Sequence, residues 1–226
     1  MSSSWLFIGV SATLVLSALA HCVTYGHCGK DKGSGKHLPC ALKRDPVIME
    51  DKLLLNACPA LLNSKGKAAP VCCDAKQAET FKSQFKSLIN IGVHRDSTCF
   101  RNFQNIVCQA FCSPNQSQFV AIFGNSTKEG HKPSATDIVY AVERSFAEAV
   151  YASCKDVRTR IFGTKLMKYM CGRYGSSDCS PQRFLDFVGA VRSEGGHSPL
   201  KIRYVIAETS IKVNNKTLEP FKPEVM

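Results

Sequence analysis

Apolar positions along the chain fall into three patterns. The first is a run without charge at the start, where Trp5 to Val10 and Ala12 to Ala20 are almost wholly apolar. Polar sequence follows abruptly, and the run is too short to favour a membrane span. Ala18 and Ala20 make an A-x-A pattern with cleavage before His21, so residues 1–20 read as a signal peptide. The second pattern repeats every three and four residues, as amphipathic helices do. Asp74 can cap a helix to about residue 90, with Ala78, Phe81, Phe85 and Leu88 as one stripe and Gln77 at its edge. Residues 49–58 predict a helix stopped by Pro59, and residues 98–112 one stopped by Ser113-Pro114. Ser134 and Asp137 resemble a capping box, starting a helix with Ile138, Val142, Phe146 and Val150 at i,i+4 that ends near Cys154. Ser180-Pro181 supplies N-cap and N1 for a helix through residue 192, with Phe184, Phe187, Val188 and Val191 inward. The third pattern alternates. Residues 201–207 place Ile202, Tyr204 and Ile206 on one side of a strand, and residues 210–213 are expected to pair with it. Residues 118–123 predict another short strand, and glycine-rich residues 26–35 a stapled loop.

The sum is an α+β fold: helices packed around a small mixed β-sheet, in one disulfide-rich domain over residues 21–215. Residues 216–226 read as a C-terminal tail or linker. All twelve cysteines follow the expected cleavage point, and an even count in a secreted chain implies a disulfide framework. Their spacing leaves the pairing open. No C-x2-C pair is present, so a zinc site is not expected. Neither is any other metal or cofactor. The sequons at Asn115, Asn125 and Asn215 fit a glycoprotein of the secretory pathway. The net charge of +11 is spread along the chain, densest at Lys30, Lys32 and Lys36. An oxidising compartment argues against nucleic acid as its partner, and a solvated basic surface is the simpler reading.

Enzyme motifs are absent. There is no G-x-S-x-G elbow and no H-E-x-x-H pair. The vicinal Cys72-Cys73 before a helix invites comparison with secreted phospholipases. Those place a catalytic histidine three residues on, where this chain has Lys76. A binding module is expected rather than an enzyme.

Several blocks are more specific. They are Cys22-x2-Tyr25-Gly26-x-Cys28-Gly29, Val71-Cys72-Cys73-Asp74-x2-Gln77 and Cys108-x3-Cys112-Ser113-Pro114-x-Gln116-Ser117-Gln118-Phe119, then Ser145-Phe146-Ala147-x2-Val150-Tyr151-x2-Cys154. In order and spacing they resemble the N-terminal sterol-binding domain of the Niemann-Pick type C membrane transporters, including the intestinal sibling, over nearly all of the mature chain. The resemblance implies the pairing Cys22–Cys72, Cys28–Cys40, Cys58–Cys108, Cys73–Cys112, Cys99–Cys154 and Cys171–Cys179. It implies a buried sterol, cholesterol or a relative, with its hydroxyl inward. The domain would be the lumenal acceptor of a transport or absorption protein, on the lumenal or extracellular face of an endosomal-lysosomal or plasma membrane. A small soluble sterol carrier would be the donor, and the transporter's membrane region the recipient.

The same resemblance assigns residues. Gln77 would meet the hydroxyl, with Gln116 as a nearby polar residue. His27 and Pro39 stand where the family has Glu and Asn, and Thr24 where it has an entrance Trp. Apolar lining would come from Phe81, Phe100, Val107, Phe119, Tyr151, Leu200 and Ile202. Phe100, Phe119, Tyr151 and Ile202 are equally readable as plain core. The entrance would lie beside Tyr169 and Met170. The alternative is a cysteine-rich recognition module for a protein, glycan or vitamin, with a solid interior.

Overall fold

The computed structural model describes residues 20–223 except 64, 128, 161 and 162. Of the expected signal peptide, residues 1–19 lie outside the described residues.

The chain opens with strand β1 (Cys22–Lys30), antiparallel to β2 (His37–Arg44). This corrects the glycine-rich loop expected over residues 26–35. The disulfide Cys28–Cys40 bridges the two strands, and Asp31 closes the turn by accepting from the Ser34 amide and hydroxyl. Next come β3 (Val47–Ile48), helix α1 (Asp51–Ala57) and β4 (Pro70–Val71), which pairs β3. Then follow α2 (Ala75–Asn90), α3 (Thr98–Cys112) and the short α4 (Gln116–Phe119), which takes the first residues of a segment expected as strand. Strand β5 (Val120–Ser126) leads to β6 (Ser134–Glu143). After β6 come α5 (Arg144–Cys154), α6 (Met167–Met170), α7 (Pro181–Gly189), β7 (Lys201–Ala207) and the hairpin β8 (Ile211–Val213) and β9 (Lys216–Leu218).

β6 is the centre of the sheet. One edge pairs antiparallel with β5. The other meets β2 at Ser134 and then runs parallel to β7 from Asp137 to Glu143. The helix expected from residue 134 is therefore a strand for ten residues, and helix begins at Arg144. Ile138 and Val142 four apart satisfy a strand face as well as a helix face, so the spacing did not discriminate. Burial on both faces decided it, as for strands flanked within a sheet. Ile138, Tyr140 and Val142 enter the main core, while Val139 and Ala141 pack with Ala121 and Leu218 on the other side. The true N-cap is Glu143, whose carboxylate accepts from the Phe146 amide.

Leu218 belongs to β9, so the domain continues past residue 215. Phe221 also docks, against Phe119, Tyr140 and Phe146, and its amide donates to the Ala141 carbonyl. β8 pairs β9 and not β7, against expectation. α7 stops at Gly189 instead of residue 192, where Ala190 turns extended and its carbonyl accepts from the Ser198 amide, and Gly189 lies directly on β7. A Cβ there would fall 2.1 Å from the Ile202 carbonyl oxygen. All six disulfides join the pairs that the resemblance implied.

Candidate functional site

The helical layer does not close completely on the sheet. A cavity of about 580 Å3 remains between them, within the range of roughly 300–1,000 Å3 usual for ligand sites. α2 contributes Gln77, Phe81, Phe85 and Leu88, and α3 contributes Phe103, Val107 and Phe111. Pro39 enters from β2, with Leu200, Ile202 and Tyr204 from β7 and the residue before it. Tyr169 and Met170 of α6 and Phe187 and Val188 of α7 line it with His197 and Ser198. No Asp or Glu is among the lining residues. The α2 and α3 side of the wall is mostly apolar, with Phe81 packed on Phe111 and Phe85 on Phe103, while Lys36, Thr80, Gln84 and Ser87 are polar residues of the lining.

Gln77 is the best-defined polar group on that wall, and it is 3% exposed. Its position follows from local chemistry. The disulfides Cys22–Cys72 and Cys73–Cys112 hold the segment leading into α2. Asp74 caps the helix by accepting from the Gln77 amide at 2.8 Å, and Gln77 Oε1 reciprocates on the Asp74 amide at 3.1 Å. The same Oε1 accepts from the Gly26 amide at 2.7 Å. Gly26 sits in a bulge of β1 with φ of +64°, a conformation that favours glycine. Two backbone donors thus fill the carbonyl oxygen and settle which way the amide faces. Its Nε2 has no protein partner among the described residues and is the donor that Gln77 has left for a ligand.

His27 and His37 stack beside Pro39 with ring centroids 4.6 Å apart. Burial, and then the neighbouring His37, hold the His27 pKa below its usual value, against the pull of Asp74. Deeper, the hydroxyls of Tyr140 and Tyr204 are buried without partners among the described residues, and burial pushes both phenol pKa values up. Tyr204 lines the cavity; Tyr140 packs behind it at 5.4 Å.

The sequence-named residues divide in two. Gln77, His27, Pro39, Phe81, Val107, Leu200, Ile202, Tyr169 and Met170 all line the cavity. Gln116, Phe100, Phe119, Tyr151 and Thr24 do not. Gln116 is wholly buried and fully engaged. It accepts from the Val23 and Thr24 amides and donates to the Thr24 hydroxyl and the Ala110 carbonyl. It therefore pins β1 to the end of α3. Thr24 is its partner, with no exposure, and so forms no part of an entrance. Phe100 packs on Phe85, Phe119 on Tyr140 and Phe221, and Tyr151 on Phe184 with its hydroxyl on the Cys179 carbonyl. Among lining residues not named beforehand, Phe85, Leu88, Phe187 and Val188 stood on predicted inner stripes. Phe103, Phe111 and His37 carried no signal of their own. The sequons Asn115, Asn125 and Asn215 are all exposed.

The family described as the Niemann-Pick C1 N terminus matches residues 19–226. The chain belongs to it. Relatives in this Niemann-Pick C1 N-terminal family include the human NPC1-like intracellular cholesterol transporter 1. That protein is 33% identical over 83% of this chain and 14% of its own length. The pig NPC intracellular cholesterol transporter 1 is 26% identical over 83% of the chain and 15% of its own length. A Caenorhabditis elegans protein, NPC intracellular cholesterol transporter 1 homolog 1, is 32% identical over 75% and 13%. The chain thus spans about one seventh of the length of these relatives. Among its described residues no helix is long and apolar enough to cross a membrane, and no group of three or more His, Cys, Asp or Glu could hold a metal ion.

Proposed function

We propose that this domain binds a sterol in the 580 Å3 cavity, with the oxygen-bearing end at Gln77 and the body against α2, α3 and β7. One observation carries the reading: a buried amide, its oxygen locked by two backbone donors, turns its NH2 group to the edge of an apolar hollow. A fused-ring lipid with one terminal oxygen complements that arrangement. Burying its rings gains about 25 cal/mol per Å2, and the sterol oxygen accepts from the amide NH2. We infer further that the domain acts as the lumenal or extracellular acceptor of a sterol transporter. It would take its ligand from a soluble carrier past Tyr169 and Met170 and pass it to a membrane region. The relatives' names support this reading.

The test is equilibrium binding of labelled cholesterol to the purified chain and to Val107→Trp, which adds bulk inside the cavity. Saturable binding in the first and none in a folded second supports the reading. Competition by 5α-cholestane, which has no oxygen, is expected to be about tenfold or more weaker than by cholesterol. Equal competition, or binding undisturbed by the tryptophan, refutes it.

A further inference from the structure

An alcohol both donates and accepts a hydrogen bond, and Gln77 answers half of that need. Its Oε1 already receives the Gly26 and Asp74 amides, so the side chain meets a ligand with its NH2 group alone. The proton of a sterol hydroxyl needs a different acceptor on the same stretch of wall. Burying it without one weakens binding about 5–150-fold. Four lining residues at this end carry an acceptor: His27, His37, Thr80 and, through its carbonyl, Pro39.

Three observations single out His27. It follows Gly26 in β1, so the hydrogen bond that fixes the Gln77 amide also fixes the backbone beside this imidazole. Its ring stacks on His37, and its nitrogens make no hydrogen bond among the described residues. It is half-buried, whereas His37 is exposed and the Thr80 hydroxyl is turned onto the Lys76 carbonyl. Burial, and then His37, favour its neutral form, in which one ring nitrogen carries the proton and the other accepts.

We infer that the neutral imidazole of His27 accepts the proton of the sterol hydroxyl while Gln77 Nε2 donates to its oxygen, so that the two side chains together select an alcohol. A ketone at the same carbon has no proton to give and leaves the imidazole unanswered. Protonation of His27 removes the acceptor, offers a ketone a second donor and ends the preference. The charged and titratable groups about the ring are His37 and Lys36 of the β2 side and Asp74 and Lys76 at the start of α2. A polar groove on the ring's other side adds Lys30, Glu79, His131 and Lys132. Histidine is the side chain whose charge ordinarily changes between pH 5 and 8, whereas the Thr80 hydroxyl and the Pro39 carbonyl do not titrate. A pH profile therefore separates an imidazole acceptor from those two. This inference rests on the sterol reading and deepens it, adding the residue that specifies the ligand's polar end.

The experiment measures competition against labelled cholesterol by 5α-cholestan-3β-ol and by 5α-cholestan-3-one, which differ only at that oxygen, at pH 7.5 and pH 5. The ratio of their inhibition constants is read, because it cancels any change in the folded fraction. On the purified chain the alcohol is expected to compete about fivefold or more better at pH 7.5. That advantage should fall at least about threefold at pH 5. His27→Leu should bring the ratio close to unity at both pH values, and His37→Leu should keep the parent's profile. A parent ratio that is close to unity at pH 7.5, or the same at both pH values, overturns this inference without recourse to any variant. So does a pH-dependent ratio that survives in His27→Leu or disappears in His37→Leu. Failure of the chain to bind cholesterol and both competitors overturns the sterol reading, and this inference with it.

Discussion

Replacing Gln77 by alanine separates the two jobs of that side chain. Its oxygen supports the fold, and its nitrogen faces the cavity. Truncation leaves the buried Gly26 amide unpaired, at about 1–3 kcal/mol. It also removes the returning half of the α2 capping box, a further net loss of about 1 kcal/mol. The unfolding free energy should therefore drop by about 2–4 kcal/mol. In urea, with disulfides intact and a slope of about 2 kcal/mol/M, the midpoint moves down by about 1–2 M. Gln77→Glu keeps both acceptor contacts, so its midpoint should fall less. Cholesterol affinity should behave differently. Alanine removes the donor and weakens binding by about 1–3 kcal/mol, or about 5–150-fold. Glutamate lacks the N–H donor too and should not restore binding. A Gln77→Ala midpoint within about 0.3 M of the parent would show that the amide does not pin β1 to α2. Full affinity in Gln77→Glu would show that the donor is not what the ligand meets.

Gln116→Leu should cost at least about 3 kcal/mol in urea unfolding, because the Val23 and Thr24 amides and the Ala110 carbonyl lose their partner. Cholesterol affinity of the folded fraction should stay unchanged, and a specific loss of affinity would return Gln116 to the binding site. Gly189→Ala should destabilise by about 3 kcal/mol or more, since its Cβ must displace the β7 backbone. Gly33→Ala, whose nearest atom is the end of the Asp31 side chain, is the control, and equal melting temperatures for the two variants would contradict the close packing of α7 on β7. The lowered His27 pKa means that the unfolded chain binds the proton more readily than the fold does. Stability from this group should be fully present above about pH 6.5 and lost as the pH falls toward the folded value. His37, Asp74 and Lys76 are the groups that act on it. His27→Gln should narrow the difference in melting temperature between pH 7.5 and pH 5, and an unaltered difference would remove His27 as its source.

Several helices were legible because their evidence is local. Asp74, the stripe of α2 and the Ser180-Pro181 start of α7 each occupy a few consecutive residues, and the structure keeps all three. The strand at β7 was equally plain from alternation. β6 was not. Its apolar residues serve two cores at once, and a sequence pattern reports one exposed face against one buried face. The hairpin of β1 and β2 was hidden for another reason. Glycines at 26 and 29 signal a loop, whereas here Gly26 aims an amide at Gln77 and Gly29 lets the strand approach Ser134.

The candidate site divides the same way. Residue order alone established the cysteine framework through its family blocks, the inner stripes of α2 and α7, and Gln77 at a helix edge. Its family blocks gave Gln77 the hydroxyl and set Gln116 near it. Only the packed chain took Gln116 out of the cavity, by surrounding its amide with four protein partners while leaving the Gln77 nitrogen against a hollow. Hydrogen bonds to residues 51 and 92 or 93 positions away made that choice. Contacts at such separations depend on where the whole backbone runs, and no local spacing encodes them.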